Sequence, residues 1–326
     1  MELMPEILGQ KTLALGFGSG ALLSKGRSRQ EALRLLETAI DCGITYFDTA
    51  RSYCAGRAEG ILGEVVAKNR SRLILASKAG ILPESRSLFV RAMGRGVRLL
   101  HKAAPPIENY VAVPAAAMLR FGVFGLADIR KSIETSLREL RTDYLDVFLL
   151  HECAASNTDS AELLNCLNDL KSAGKIRTFG IATGIEETIK ILENNRGFSD
   201  VVQIPSSIFD MNVKKVLPLS RGLVATHSSL TSRFNRLVDR LSSDKRVAAE
   251  WRSMTQVDPR DTTSLAQLLL AHALHSNPNG IVLFFSSNAM NIKANVKILS
   301  EATIDQTQID GLNALLIRNR DSLAQV

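Results

Sequence analysis

The sequence has few of the residues that build metal sites, disulfide frameworks and base-stacking surfaces. It contains 4 cysteines and 5 histidines in 326 residues. The cysteines form no CxxC pair and show no metal-ligand spacing, so we expect no metal and reduced thiols in a cytoplasmic protein. Aromatic residues make up only 5% of the chain, which leaves few stacking platforms for bases. The net charge of +7 comes from scattered Lys and Arg, and we expect no nucleic-acid partner.

Long apolar runs and linker-like segments are also missing. No stretch of about 18 uninterrupted apolar residues occurs, so we expect no membrane span. The first residues lack a basic segment followed by an apolar run, so we expect no secretory leader. Apolar residues still make up 45% of the chain, enough for a large core. We expect residues 1–326 to form one domain. We also expect the protein to be a monomer, because no apolar interface stripe is evident.

Short apolar runs alternate with longer segments of helical periodicity. The runs are rich in leucine and β-branched residues, and several lack polar alternation, which is typical of strands buried on both faces. Eight runs predict strands, at residues 13–18, 44–47, 73–77, 145–150, 177–181, 201–204, 223–226 and 281–285. Apolar residues recur with helical spacing at residues 29–42, 128–140, 160–173 and 264–274.

Strands separated by helices indicate right-handed βαβ units and a parallel sheet. Eight units in about 300 residues predict an α/β fold of the (β/α)₈ TIM-barrel type rather than two domains. A C-terminal helix is predicted at 306–323. An insertion at 81–126 follows the third strand, and connections of this length are usually lids, binding loops or insertions. A helical pair packed on the barrel and a lid over the substrate both fit this segment.

Ionisable side chains follow three of the predicted strands. Asp48 and Tyr53 follow the second strand, Lys78 the third and His151 the fourth. Because the active sites of such barrels lie at the C-terminal ends of the strands, we expect these groups to converge. Such a set of groups can serve the reduction of a carbonyl. That reaction needs a hydride on carbon, which a cofactor supplies, and a proton on oxygen.

A phenol, with a pKa of about 10, is a weak acid near neutrality, and a nearby ammonium lowers that pKa. We therefore predict that Tyr53 is the proton donor and that Lys78 lowers its pKa. Asp48 would hold Lys78 by an ion pair, and His151 would orient the carbonyl and help the proton transfer. A barrel lyase or isomerase with Lys78 as a Schiff base is an alternative that leaves the Asp48–Tyr53 spacing unexplained.

Residues 47–63 resemble the signature of the aldo-keto reductase family, which reads D-T-A-x-x-Y-G-x-x-E-x-x-L-G. Asp48, Tyr53 and Glu59 occur in that order. Cys54 replaces the usual glycine, and the Tyr–Glu interval is two residues longer than in the motif.

The lysine and histidine positions of the family also match this chain, at Lys78 and His151. The resemblance covers nearly the whole chain, and four family positions in the right order are specific in combination. It implies NAD(P)H-dependent reduction of an aldehyde or ketone, or the reverse oxidation of an alcohol, with a small-molecule carbonyl as substrate.

The resemblance further implies a cofactor that lies extended across the barrel mouth, without a G-x-G-x-x-G motif. It assigns cofactor contacts to Ser19, Asp48, Thr183, Gln203, His227, Ser228, Leu230, Ser286, Ser287, Asn291 and Asn295. The chain departs from the family's usual residues at Ala182, His227, Phe285, Asn291 and Ala294. Two of these, Phe285 and Asn291, stand where NADPH-preferring members often carry Lys or Arg.

We favour NADPH/NADP as the cofactor, with NADH/NAD as the alternative, and Lys293 could compensate for the missing charges. The altered cofactor positions and the insertion also leave a second hypothesis open. In this reading the chain is a cofactor-binding regulatory or partner-binding barrel with little or no turnover, as potassium-channel β subunits are. The intact set of four catalytic positions argues against it.

Overall fold

Eight parallel strands form a closed barrel in which each strand pairs with the next along the chain, and the last pairs with the first. The strands are β1 (Leu15–Gly18), β2 (Tyr46–Asp48), β3 (Ile74–Ala79), β4 (Leu145–His151), β5 (Ile176–Ala182), β6 (Val201–Pro205), β7 (Leu223–His227) and β8 (Ile281–Phe284). The computed structural model describes residues 5–83, 119–194, 196–230, 232–300 and 304–318. The predicted (β/α)₈ barrel is confirmed.

Helices follow the strands and pack around the barrel. They are α1 (Arg29–Asp41), α2 (Ala58–Asn69), α3 (Leu126–Leu140), α4 (Ala155–Thr158), α5 (Ala161–Ser172), α6 (Ile185–Asn194), α7 (Asn212–Val216), α8 (Ser232–Ser243), α9 (Lys245–Thr255), α10 (Thr262–Ser276), α11 (Ala289–Lys297) and α12 (Gln306–Arg318). Among the described helices, none is both long and apolar enough to cross a membrane.

Local sequence explains where α1 begins and which face it buries. Ser28 accepts a hydrogen bond from the amide of Glu31, and the Glu31 carboxylate accepts one from the amide of Ser28. This capping box satisfies two amides that would otherwise lack partners. Leucine and alanine at helical spacing then face the barrel and are buried. The same pattern of one apolar face orients the other outer helices.

The barrel interior is packed with side chains rather than open. An interior cluster includes Tyr46, Val147 and Leu283. Glycine at position 16, which has no side chain, leaves space for Tyr46 and Leu283. An ideal Cβ at Gly16 would lie 2.7 Å from Leu283 Cδ2 and 2.9 Å from Tyr46 Cδ1. A short hairpin, Glu6–Ile7 with Gln10–Lys11, adds Ile7 to the interior cluster. The filled interior leaves the strand ends as the place for a site.

The ends of the predicted insertion at 81–126 lie side by side. Leu82–Pro83 pairs antiparallel with Leu119–Arg120, and the amide of Val123 donates to the carbonyl of Gly80 at 3.0 Å. Residues 84–118 lie outside the described residues. The two interpretations of this segment, a lid and a helical pair, therefore both stay predictions. The C-terminal helix begins at Gln306 as predicted, and the predicted part beyond Arg318 also lies outside the described residues.

A buried charged network holds the N-terminal ends of the strands together. Arg70 donates to Asp146 Oδ2 at 2.9 Å and to the carbonyl of Tyr144 at 2.9 Å, and its guanidinium lies 3.7 Å from the centroid of the Tyr144 ring. Asp146 also accepts from the amide of Leu75 at 2.9 Å and from Arg177 at 3.2 Å. The network therefore joins the segment before β3 to β4 and β5.

Replacing Arg70 by Ala should lower the free energy of unfolding by about 3 kcal/mol, because it leaves the buried Asp146 carboxylate short of a partner. The side chains of Arg70 and Asp146 are only 16% and 2% exposed. Urea denaturation measures the loss. Arg130→Ala is the matched control, since its pair with Asp169 is 51% and 68% exposed and is worth less than about 1 kcal/mol. Equal losses in the two variants would contradict the expectation.

Candidate active site

The four predicted catalytic residues meet at the C-terminal mouth of the barrel. Asp48 ends β2, Lys78 lies near the end of β3 and His151 ends β4. Tyr53 opens a short 3₁₀ turn, Tyr53–Gly56, just after β2. All four side chains line one cavity of about 520 Å³. No group of His, Cys, Asp and Glu in the described ranges could hold a metal ion.

Lys78 is the centre of the arrangement. Its Nζ donates to Asp48 Oδ1 at 2.5 Å, to the carbonyl of Thr49 at 2.9 Å and to the phenol oxygen of Tyr53 at 3.2 Å. An ammonium has three protons to donate, so these three acceptors use its full capacity. Because Lys78 is only 1% exposed, its position is fixed by these contacts rather than by water.

The pKa values of the pair keep Lys78 charged. Burial lowers the pKa of Lys78, but Asp48 and Tyr53 together raise it by more, so it lies above its usual value. Burial raises the pKa of Asp48, while Lys78 and a hydrogen bond from Gln203 lower it. The ammonium is thus held next to the phenol of Tyr53.

The pKa of Tyr53 does not shift in the predicted direction, because the phenol is buried. Burial raises the pKa of Tyr53, and the opposing effect of Lys78 is smaller, so the pKa lies above the usual value rather than below it. The ammonium alone would lower this pKa, but burial outweighs it. In this arrangement the phenol stays protonated near neutrality, which is the form that a proton donor needs.

Both histidines at the mouth are neutral near pH 7. Burial, with a smaller contribution from Lys78, lowers the pKa of His151 to about 3 and that of His227 to about 4. The His151 ring packs edge-on to the Tyr53 ring, with centroids 5.9 Å apart. A neutral imidazole can orient a carbonyl through its N–H, but the predicted help with proton transfer cannot come from an imidazolium.

Three residues to which the sequence prediction gave no role hold the catalytic segments in place. Glu59, which is 1% exposed, accepts from Arg51 Nη1 at 2.5 Å and from Ser77 Oγ at 2.7 Å. Arg51 lies two residues before Tyr53, and Ser77 directly precedes Lys78. Glu59 belongs to the signature motif, so its position in the motif was the available clue. The network links the Tyr53 segment to β3.

Comparisons with known proteins identify the family of this chain. A model of the Aldo/keto reductase family matches residues 14–317. The chain belongs to the aldo/keto reductase family. It is 29% identical over 213 residues, 65% of this chain, to an uncharacterised oxidoreductase of Bacillus subtilis. It is 31% identical over 219 residues, 66% of this chain, to an NADH-specific methylglyoxal reductase of Escherichia coli. The matched region covers 59% of each relative, so the chain spans less than two thirds of the length of these curated proteins.

Solved aldo/keto reductases share the fold. One from Klebsiella pneumoniae, in complex with NADP and acetate, superposes with a TM-score of 0.68 at 21% identity, covering 97% of this chain and 95% of that one.

The eleven cofactor positions of the family fall into three sets in this aldo/keto reductase. Six line the cavity: Asp48, Thr183, Gln203, His227, Ser228 and Leu230. Ser19 lies between two glycines that line it. The other four, Ser286, Ser287, Asn291 and Asn295, are not among the described residues that line this cavity.

Two side chains in the segment after β8 accept hydrogen bonds from backbone amides of the same segment. Ser286 Oγ accepts from the amide of Asn288 at 3.2 Å, and Asn288 caps α11 by accepting from the amide of Met290 at 2.9 Å. The N-terminus of α11 therefore has fewer free N–H groups for a cofactor phosphate than an uncapped helix would have. Phe285, by contrast, lines the cavity.

The residues present fit the nicotinamide end of the family's cofactor. Ser19 Oγ and Gln203 Oε1 are buried and have no hydrogen-bond partner among the described residues. A buried polar atom without a partner is costly, and Gln203 Oε1 is an acceptor of the kind that a carboxamide N–H needs. Thr183 Oγ1 donates to the carbonyl of Cys153 at 2.9 Å and can still accept. These atoms are suited to complete their hydrogen bonds with a ligand.

Proposed function

We propose that the chain is an NAD(P)H-dependent reductase of aldehydes or ketones, able to oxidise the corresponding alcohol in reverse, with Tyr53 as general acid. The observation that carries this proposal is the contact of Tyr53 with Lys78, 3.2 Å between phenol oxygen and ammonium, in a chain that keeps the Lys78–Asp48 pair buried. This pairing places a protonated phenol and a fixed positive charge at one cavity.

The chain's own residues account for the proton half of the reaction. Tyr53 OH and the His151 N–H would donate to the substrate carbonyl oxygen and orient it. As negative charge develops on that oxygen, Tyr53 transfers its proton, and Lys78 stabilises the phenolate that is left. Asp48 keeps the ammonium in place throughout. The nicotinamide cofactor, when bound, supplies the hydride.

For the cofactor, we propose NADPH with NADH as the alternative. Ser19, Thr183 and Gln203 would hold the nicotinamide end. The missing charge at Phe285 has a nearby substitute, since the Arg27 guanidinium lies 5.6 Å from the centroid of the Phe285 ring. Titration of cofactor binding by intrinsic fluorescence, together with kcat/KM for both cofactors, tests this choice. Tighter binding of NADH than of NADPH would contradict it.

The decisive experiment for the activity is NADPH and NADH oxidation, followed at 340 nm with a panel of aldehydes and ketones. Turnover of any carbonyl supports the reductase. Cofactor binding without turnover on the whole panel would favour the second candidate, a regulatory or partner-binding barrel, which the altered residues His227, Phe285 and Asn291 motivate. We further propose a cytoplasmic protein, supported by the four cysteines, which form no disulfide. We also propose a monomer, because the sequence shows no apolar interface stripe.

The pH dependence of kcat/KM should show no ionisation of His151 between pH 5 and 8. A basic group whose pKa is lowered to about 3 is already neutral at pH 5, so a change of pH in this window does not alter its charge. The profile is measured with an uncharged aldehyde in wild type and in His151→Gln. A fall in kcat/KM below pH 6.5 that is present in wild type and absent in the variant would show that His151 is protonated there.

A further inference from the structure

One charged side chain at the cavity takes no part in the mechanism above. Of the described residues that line the cavity, the charged ones are Asp48, Lys78 and Glu152. Asp48 and Lys78 pair with each other at 2.5 Å, so their charges offset. The carboxylate of Glu152 forms no hydrogen bond or ion pair with any residue in the described ranges.

The backbone at Glu152 is unusual for this residue type. Its φ is 52°, in the left-handed region that favours Gly and Asn. Its amide donates to the carbonyl of Ala182 at 2.8 Å, which ties the residue to the end of β5. Gly or Asn would adopt this backbone conformation more easily than Glu, yet the chain has a carboxylate at this position of the barrel mouth.

Glu152 sets the net charge that the described lining presents to a substrate. The two histidines at the cavity, His151 and His227, are neutral near pH 7 because their pKa values are about 3 and about 4. Glu152 acts on the reacting group itself, since it contributes to raising the pKa of Tyr53. Glu152 is partly exposed to solvent, and its partial burial raises its pKa. Assays at pH 8 keep the carboxylate ionised.

We propose that Glu152 selects substrates by charge, so that the site prefers aldehydes and ketones carrying an ammonium or similar cation and disfavours those carrying a carboxylate. The inference rests on the proposed reductase function. Two unit charges about 6 Å apart, at an effective dielectric of about 40, interact strongly enough for about a tenfold effect on binding. A cation and an anion should therefore differ by about a hundredfold.

The test uses three para-substituted benzaldehydes, which carry a trimethylammonium, a methyl and a carboxylate group. Their kcat/KM values are measured at pH 8 in wild type, Glu152→Gln and Glu152→Lys. We expect the ratio of the cationic to the anionic substrate to fall about a hundredfold in Glu152→Gln and to fall further in Glu152→Lys. Because the same pair is compared in each variant, differences in intrinsic reactivity cancel.

The matched control is Glu37→Gln, which removes the same charge from an exposed position on α1 and should leave the wild-type ratio in place. If the ratio in Glu152→Gln equals that of wild type, the inference is wrong. An equal loss for all three aldehydes would also overturn it, because it would assign Glu152 to proton transfer or cofactor binding.

Failure of the reductase proposal gives a different pattern, in which wild type turns over none of the three aldehydes. The dissociation constants of the three compounds from the protein–cofactor complex are then measured by calorimetry. Their ratio between the cationic and the anionic compound is compared across the variants in the same way. Should Glu152→Gln not fold, Glu152→Asn replaces it, since Asn tolerates the left-handed backbone. A ratio that stays at the wild-type value in that variant counts equally against the proposal.

Discussion

Replacing Tyr53 by Phe is expected to lower kcat about a thousandfold while leaving cofactor affinity within about threefold. General acid catalysis by a positioned side chain contributes roughly 10²- to 10⁴-fold, and this variant removes the acid while keeping the aromatic ring. The ring packs against His151 with centroids 5.9 Å apart, and Phe preserves that contact. Single-turnover kinetics measure the chemical step, and fluorescence titration measures the cofactor dissociation constant.

The matched control for Tyr53→Phe is Tyr144→Phe. Tyr144 lies just before β4, at the opposite end of the barrel, where its ring contacts Arg70. Loss of this phenol oxygen should leave kcat unchanged. If Tyr53→Phe retained more than about a tenth of wild-type kcat, another group would be the proton donor.

Replacing Lys78 by Met is expected to abolish turnover and to lower the free energy of unfolding by about 3–5 kcal/mol. Lys78 and Asp48 have side chains only 1% and 4% exposed, and removal of one partner of a buried pair leaves an uncompensated charge. The double variant Lys78→Met/Asp48→Asn removes that charge and should recover most of the lost stability, but no activity. Urea denaturation of the three variants, including Asp48→Asn alone, completes a double-mutant cycle.

The stability of Lys78→Met should also depend on pH in a defined direction. Burial already raises the pKa of Asp48, and the variant loses the ammonium that lowers it. A carboxyl whose pKa is higher in the folded state binds more protons there than in the unfolded state, so stability falls as pH rises. The variant should therefore be less destabilised relative to wild type at pH 5 than at pH 8. An equal deficit at both values would show that Asp48 stays ionised without Lys78.

The barrel could be predicted from the sequence because each strand is a short apolar run between helical segments. The ends of the strands were less predictable. The second strand was predicted at 44–47 but spans Tyr46–Asp48. Ile44 donates its amide to the carbonyl of Ala39 in α1 at 3.1 Å, and Gly43 has φ of 88°. The residues after α1 thus finish the helix before the strand begins, which a pattern of apolar residues does not show.

The candidate site was predictable where it depends on strand ends and not where it depends on tertiary contacts. Lys78 and His151 follow from their places at the ends of strands. The partners of Glu59 lie 8 and 18 residues away in the sequence, and its spacing gives no indication of either contact. The direction of the Tyr53 pKa depends on the balance between burial and Lys78, and burial is known only after folding. The backbone conformation of Glu152 is equally a property of the folded loop.

The short ladder between Leu82–Pro83 and Leu119–Arg120 has a consequence for how this barrel can change. It brings the two ends of the intervening segment together as adjacent antiparallel strands, about 5 Å apart, independently of that segment's length. Each doubling in the length of a closed loop costs only about 0.6 kcal/mol. The ladder therefore holds Pro83 and Leu119 opposite each other. We expect that a change in the number of residues between them would leave Lys78 and α3 in place.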